Sequence, residues 1–394
     1  MFQSTQKTAI FFSCFILVIG LMGMDFINPS LPYIMKALNV SQAQTKLLIV
    51  WYMFGVGLSQ FFYGTFSDNH GRRKAIFLAY TISLFGIFIS TFANSIGVLD
   101  ISRFIAGVGA GGAPIVARAI IADVCHDEIS IKQAFSYFSM SSQLSPALAP
   151  VLGGFIQEYF DWRFCFAGLF LTVFISNWIL FFYFKETHAI PALKKSLSHQ
   201  IKIYISLFSD KRFSLLNLIS AFLFVYTIGY YAYMPFILHQ VGFSPSENGL
   251  LYIFYAASIV LGSLSMRYIS MRHPSEKILS VNIVFFVLTS LLFYAYFSFY
   301  YSLTAIIILS VLIAFNCGVA APLVLSLCMQ GFTENKGAAS AVQSFFRMFF
   351  TAVALLCFNI IPLKSMASLM ICYVVLSFMI MLLFLYFKRY KKRG

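Results

Sequence analysis

Asp25 is an acid in the wrong surroundings. It lies within residues 8–35, where nearly every neighbour is apolar. The other 12 of the chain's 13 acidic residues fall in polar intervals or within a few residues of an apolar run's end. Burial penalises an ionised carboxylate and a nearby arginine favours it, so an acid held between the two can load and release a proton under physiological conditions. A permanent structural ion pair is the other reading. Three cations also stand inside apolar runs: Arg103, Arg118 and Arg347. Asn28 is three residues beyond Asp25, on the same helical face. The chemistry on offer is proton transfer and charge pairing. No nucleophile–base pair is visible, so an enzyme is not expected. The seven cysteines show no C-x-x-C or His-pair spacing, so neither a disulfide framework nor a metal site is expected.

These residues are carried by spans. Sixty per cent of the chain is apolar and 10% charged, with mean hydropathy +0.85, which excludes an ordinary soluble domain. Apolar runs fall near 8–35, 47–66, 75–94, 99–122, 134–156, 164–184, 214–238, 247–267, 278–298, 302–328, 337–360 and 366–387. Each can cross a ~30 Å hydrocarbon core at ~1.5 Å per residue. The expected fold is an all-α integral membrane protein of twelve helices in two six-helix bundles. Residues 1–190 form one bundle and 214–394 the other, with a basic linker at 191–213 whose part Ile201–Phe208 has an apolar side suited to a membrane surface. No A-x-A-like cleavage site follows the first run, so it reads as a span rather than a removed signal.

The net charge of +14 belongs to orientation. Only Lys36, Lys46, Arg163 and Lys364 fall in odd-numbered loops; apart from the three arginines inside apolar runs, the remaining Lys and Arg sit in the termini and even-numbered loops. That bias puts both termini in the cytoplasm, and a basic surface for nucleic acid has no soluble domain to carry it. Orientation then compares depths. Asp25 lies ~10 residues before the outer end of span 1 and Arg103 ~4–6 after the outer start of span 4, a difference of about 8 Å and within an arginine's reach. Arg118, near the inner end, either snorkels or pairs with Asp123 or Asp68. Arg347 lies mid-span; it meets backbone carbonyls, an anionic substrate group or Asp25.

Several motifs frame these charges. Gly64-Thr-Phe-Ser-Asp68-Asn-His-Gly71-Arg72-Arg73-Lys74 reads as a tight basic turn between spans 2 and 3. Span 4 holds Gly107, Gly109, Gly111 and Gly112, which permit close helix approach and bending. Its G-x-G-x-x-G pattern follows no strand and is not a dinucleotide site. Span 5 carries Pro146, Pro150, Gly153 and Gly154, a kinked segment that neighbours must re-satisfy. Tyr226, Tyr230, Tyr231, Tyr233 and Phe236 flank Gly229 and Pro235 in span 7 and are candidate cavity residues.

With Asp161-Trp-Arg163, Lys185-Glu186-Thr187, Arg118…Asp123 and Gly337-Ala-Ala-Ser340, these motifs resemble the Bcr/CflA (bicyclomycin/chloramphenicol resistance) drug:proton antiporters of the major facilitator superfamily. The resemblance implies proton-coupled export of amphipathic small molecules across the bacterial inner membrane. Asn28, Arg347, Tyr226 and Tyr230 are candidate substrate-cavity residues by their own types and positions, and the resemblance implies proton coupling at Asp25 and Arg103. It further implies a conformational latch at Gly64, Asp68, Gly71, Arg72 and Arg73, and an antiport motif at Pro146, Pro150, Gly153 and Gly154 that holds span 5 against span 8. Expected partners are the substrate, protons and lipid, with a monomeric protein driven by the proton gradient and no cofactor. The alternative on this scaffold is a dedicated metabolite or siderophore transporter, running in either direction.

Overall fold

The computed structural model describes residues 4–188, 197–330, 336–360 and 365–391. Lys194, Lys195 and Lys364, and the last three residues, lie outside these. Every regular element described is helical, the secondary structure that satisfies all its backbone groups within one segment of a bilayer. Span 1 is α1 (Ser4–Asp25), a 3-10 turn (Asn28–Ser30) and α2 (Leu31–Ala37). Then come α3 (Gln42–His70), α4 (Arg72–Thr91), the pair α5 (Ile96–Ala110) and α6 (Gly112–Val124), α7 (Glu128–Tyr159) and α8 (Trp162–Tyr183). The linker helix is α9 (Leu197–Ser209). It is followed by α10 (Lys211–Gln240), α11 (Pro245–Ile269), α12 (Ser275–Phe299), α13 (Leu303–Met329), α14 (Lys336–Ile360) and α15 (Met366–Lys391).

Among the described residues, with α1–α2 and α5–α6 each counted as one, 11 elements are long and apolar enough to cross a membrane. The twelfth span is α7. Its 32 residues extend ~48 Å, but serines, Gln143, Glu158 and two prolines dilute its hydropathy. The acids that the sequence places near span ends cap helices. Asp127, Asp161 and Asp210 accept from backbone N–H groups at the starts of α7, α8 and α10, where a helix leaves donors unpaired and favours negative charge.

Two sequence expectations change. The run read as 47–66 is a helix continuing to His70, so Gly64 and Asp68 lie inside α3 and not in a turn. Gly71 alone makes the reversal, at φ +94°, a left-handed value that only glycine adopts without strain. Span 1 is not one continuous helix either. Pro29 has no N–H for the Asp25 carbonyl, and its ring crowds that carbonyl, so α1 stops at Asp25.

The chain divides into two compact units: Met1–Ile203 with Phe243–Tyr252, and Tyr204–Gly242 with Ile253–Gly394. In the first unit, backbones touch at glycines. A Cβ on Gly107 would overlap the Tyr52 carbonyl of α3, and one on Gly109 would lie 2.5 Å from the Ala79 carbonyl of α4. A Cβ on Gly55 would lie 2.7 Å from the Val108 nitrogen. Lipid gives helices no hydrophobic reason to associate, so close van der Waals contact holds them together. The first turns of α11 join this unit through the same device: Gly154 faces the Pro245 carbonyl, and a Cβ on Gly249 would meet the Pro150 carbonyl at 2.6 Å. α7 runs through Pro146 and Pro150 as a single helix. In the second unit, Phe208 of α9 packs on Phe346 and Phe345 of α14, with ring centroids 5.1 and 5.7 Å apart.

Replacing Gly107 by Leu forces α3 from α5. The expected loss is ~1–3 kcal/mol, read as a lower melting temperature of the detergent-purified protein. Gly97→Ala, at a glycine with nothing within 4 Å, serves as the control and leaves melting undiminished.

Candidate functional site

The site is built on the break in span 1. Where α1 ends, its last carbonyls lose their helical donors. Arg103 of α5 supplies a replacement at Gly23, and tyrosines from two further helices bond carbonyls earlier on the same stripe, within α1. Tyr80 of α4 donates to the Ile16 carbonyl at 2.7 Å, Tyr52 of α3 to Gly20 at 3.5 Å, and Arg103 of α5 to Gly23 at 2.9 Å. Gly23 lets the Tyr52 donor close in, since a Cβ there would stand 2.5 Å from its hydroxyl.

Arg103 is wholly buried at 0% exposure. Besides Gly23 it donates Nε to the Leu48 carbonyl at 3.4 Å, and its guanidinium lies over the Tyr52 ring at 4.1 Å. Its Nη2 has no hydrogen-bond partner. Its positive charge therefore sits at the C-terminal end of α1, where the helix dipole is negative. Asp25, 4% exposed, is the residue at that end. Its printed partner is Asn28, whose Nδ2 lies 3.5 Å from Oδ1. Asn28 is itself 1% exposed and its own Oδ1 is unpaired. The expected direct Asp25–Arg103 ion pair is not among the salt bridges of the described residues. The arginine binds the backbone two residues before the acid, because the broken helix offers it a carbonyl there.

The Pro146–Gly154 segment of α7 packs on the same break. A Cβ on Gly153 would collide with the Phe26 carbonyl, the peptide after Asp25. Cys165 of α8 bridges the two, with Sγ 3.4 Å from the Gly153 carbonyl and 3.2 Å from Ser30 Oγ. In the last turn of α7, Glu158 accepts from the Ser246 N–H at 3.1 Å and so caps α11.

A second charged cluster surrounds Arg72, 5% exposed. Its Nη1 meets Asp68 at 2.6 Å and Ser67 Oγ at 2.8 Å; Nε and Nη2 meet the two Asp123 oxygens at 2.8 and 3.1 Å. Glu186 Oε1 accepts from the Arg72 N–H at 2.9 Å and Oε2 from the Arg73 N–H at 3.0 Å, a carboxylate at the N-terminus of α4 where the dipole is positive. His188 Nδ1 is 3.4 Å from Arg72 and 3.5 Å from Asp123. Any side chain on Gly71 would strike the Glu186 carboxylate. Arg73 donates to the Phe181 carbonyl of α8. Arg118 gives its Nε to the Pro114 carbonyl at 3.0 Å, while Asp123 receives Arg72.

In the second unit, Tyr226 is committed to packing. It donates to the Tyr373 carbonyl at 2.9 Å, and Tyr373 donates back to the Tyr226 carbonyl at 3.0 Å. Both groups of Tyr226 serve the α10–α15 contact, and the ring, with 0% exposure, lines no open space. Tyr230 stacks on Tyr255 at 4.3 Å. Arg347 is half-buried, with its guanidinium 5.0 Å from the Phe224 ring and Nε unpaired.

The family model described as Major Facilitator Superfamily matches residues 13–355. The chain belongs to the Major Facilitator Superfamily. It is 29% identical over 180 residues to the Bicyclomycin resistance protein homolog of Haemophilus influenzae, covering 44% of this chain and 45% of that one. It is 26% identical over 204 residues to Multidrug resistance protein D of Escherichia coli, covering 50% of each. The chain thus spans about half the length of the curated relatives it matches. Among solved structures it is similar in fold to a POT family transporter in complex with 5-aminolevulinic acid, with TM-score 0.79 and 13% identity over 98% of this chain and 96% of that one.

In this Major Facilitator chain the fold draws Asp25, Asn28 and Arg103 to one point and Asp68, Gly71, Arg72 and Arg73 to another; Gly64 lies along α3, apart from the turn. Tyr52 and Tyr80 were not foreseen. Within an apolar run a tyrosine bonded to a neighbouring helix has the same sequence signature as one facing lipid. Asp123 and Glu186 stood in quoted motifs, but nothing in sequence joined them to Arg72. Arg103→Lys keeps the charge and loses both the planar stack and the two-point attachment. The expected loss is ~1–3 kcal/mol, seen as earlier melting; unchanged melting would show that these bonds do not hold α1.

Proposed function

We propose that the protein is a proton-coupled secondary transporter exporting amphipathic small molecules. It would cycle by rocking of two six-helix halves, 1–190 and 214–394 joined by 191–213, about a midplane site. In this reading it is a monomer of the bacterial inner membrane with both termini cytoplasmic. The proton gradient drives it, it holds no cofactor, and it performs no chemistry on its cargo. Likeness to the bicyclomycin and multidrug resistance proteins supports drug-like cargo.

One observation supports coupling above the others. Asp25 is buried, and its cationic neighbour is bound to backbone and not to the carboxylate. An acid locked in a tight ion pair has no reason to take a proton, whereas a buried acid without one is costly when ionised. Proton uptake at Asp25 releases the cargo or loosens Arg103 from its carbonyls, and proton loss on the inner side resets the carrier. Asn28, Arg347 and Tyr230 are the polar and aromatic groups proposed to meet cargo; Tyr226 supports them from the packing behind. Asp68, Arg72, Arg73, Asp123 and Glu186 form the latch that holds one state of the cycle, and Pro146, Pro150, Gly153 and Gly154 keep the span 1 break under tension with α7.

Asp25→Asn in proteoliposomes should abolish pH-gradient-driven transport while cargo binding partly survives; undiminished active transport by that variant would remove Asp25 from the coupling. A substrate panel in a pump-deleted host separates broad drug export from a dedicated metabolite or siderophore carrier. Lowered accumulation of several unrelated dyes supports the first, and movement of a single solute supports the second.

A further inference from the structure

Two recesses meet at Lys277 in the second unit, and the mechanism above uses neither. One is a polar hollow of about 510 Å³ lined by Lys277, Lys388, Ser275, Ser280, Glu276 and Gln330 among others. Lys388 reaches into it from α15, donating to Ser280 Oγ at 2.9 Å. Among the described lining residues Glu276 is the one carboxylate, set against two lysines. The other is an apolar cleft of about 370 Å³ between α12 and α13, with His273 and Lys277 at its mouth and Val281, Phe285, Phe315 and Val319 on its walls. Val281, Phe285 and Phe315 are exposed on spanning helices, so the cleft opens sideways to lipid.

The floor of the cleft is polar. Asn282 and Asn316, each 5% exposed, bond each other across α12 and α13. Asn282 lines the cleft, with its Oδ1 turned into the protein and covered there. Asn282 lies five residues past Lys277, or ~7.5 Å deeper along the helix. A cation above, a polar side chain one glycerol's depth below and an apolar slot beyond them match the order of parts in a membrane lipid. The slot holds about a dozen water-sized groups at ~30 Å³ each, which suits the upper part of a single acyl chain.

We infer that the inner end of the second unit binds an anionic glycerophospholipid, its phosphate between Lys277 and Lys388 and one acyl chain in the α12–α13 cleft over Asn282. The basic N-terminal end of α12 faces the cytoplasmic leaflet in the orientation proposed above, and juxtamembrane lysines attract anionic headgroups. The binding itself does not depend on what the protein transports.

The test is native mass spectrometry of the full-length protein in detergent with dioleoyl phosphatidylglycerol or dioleoyl phosphatidylcholine. Retention of phosphatidylglycerol should exceed phosphatidylcholine by about tenfold, as two lysines at about 1 kcal/mol each allow. Lys277→Gln with Lys388→Gln should bring the two lipids level. Val281→Trp, at an exposed position, fills the cleft and should lower retention of both without changing the melting temperature. Equal retention of the two lipids by the unaltered protein, or undiminished retention by Val281→Trp, overturns the inference. Displacement of the lipid by excess inorganic phosphate also overturns it, since the recess would then be a plain phosphate site. Should Val281→Trp not fold, the double lysine variant decides alone.

Discussion

A carbonyl that loses its helical partner inside a bilayer has no water to fall back on. Pro29 creates that situation in the first span, at the carbonyls that close α1. Tyr80 and Tyr52 bond carbonyls at Ile16 and Gly20 that lie within the helix, and Arg103 bonds Gly23, whose helical donor is lost. The position of Arg103 follows from this demand: its charge goes to the end of the broken helix and only secondarily to the acid beside it. Asp25 is left buried, close to a cation, and outside a tight pair. An ionisable group in lipid is normally matched or functional, and here the matching is partial.

Glycine contacts are what bring those donors into range. Backbone-to-backbone packing of α5 against α3 and α4 seats Arg103 over Tyr52, and Gly153 seats α7 on the Phe26 peptide. Small residues do in lipid what large apolar ones do in water. The same helices thus link the Pro146–Gly154 segment, the proline break and Asp25 through contacts that leave no room for added methyl groups.

The cluster at Arg72 obeys a different rule, because it stands where α3 and α4 reach water. Two carboxylates, from α3 and α6, share one guanidinium, and Glu186 caps the next helix while ordering the chain after α8. A network with Arg72 nearly buried and its acids partly exposed keeps enough Coulomb energy to hold four segments together. It also stays wet enough to separate without a large desolvation penalty.

Sequence by itself determined the class, the span count, the positive-inside charge bias and the identity of the chemically unusual residues. Those features depend on chain-local facts: the length of an apolar run, a proline's missing N–H, an acid where no acid is comfortable. It also gathered the residues around Gly71 into one motif. Only tertiary structure decided which partner each took. Depth counting put Arg103 beside Asp25 but could not show that a freed carbonyl at Gly23 would bind it first. Tyr226 looked like a cavity residue because aromatic content carries no direction, and packing against Tyr373 gave it one. Asp68 and Gly64 were read as turn because charge and glycine mark loops, yet α3 continues through them as its end leaves the hydrocarbon. Hydrogen-bond demand inside a membrane is met between helices, and no pattern along a single helix records which neighbour will meet it.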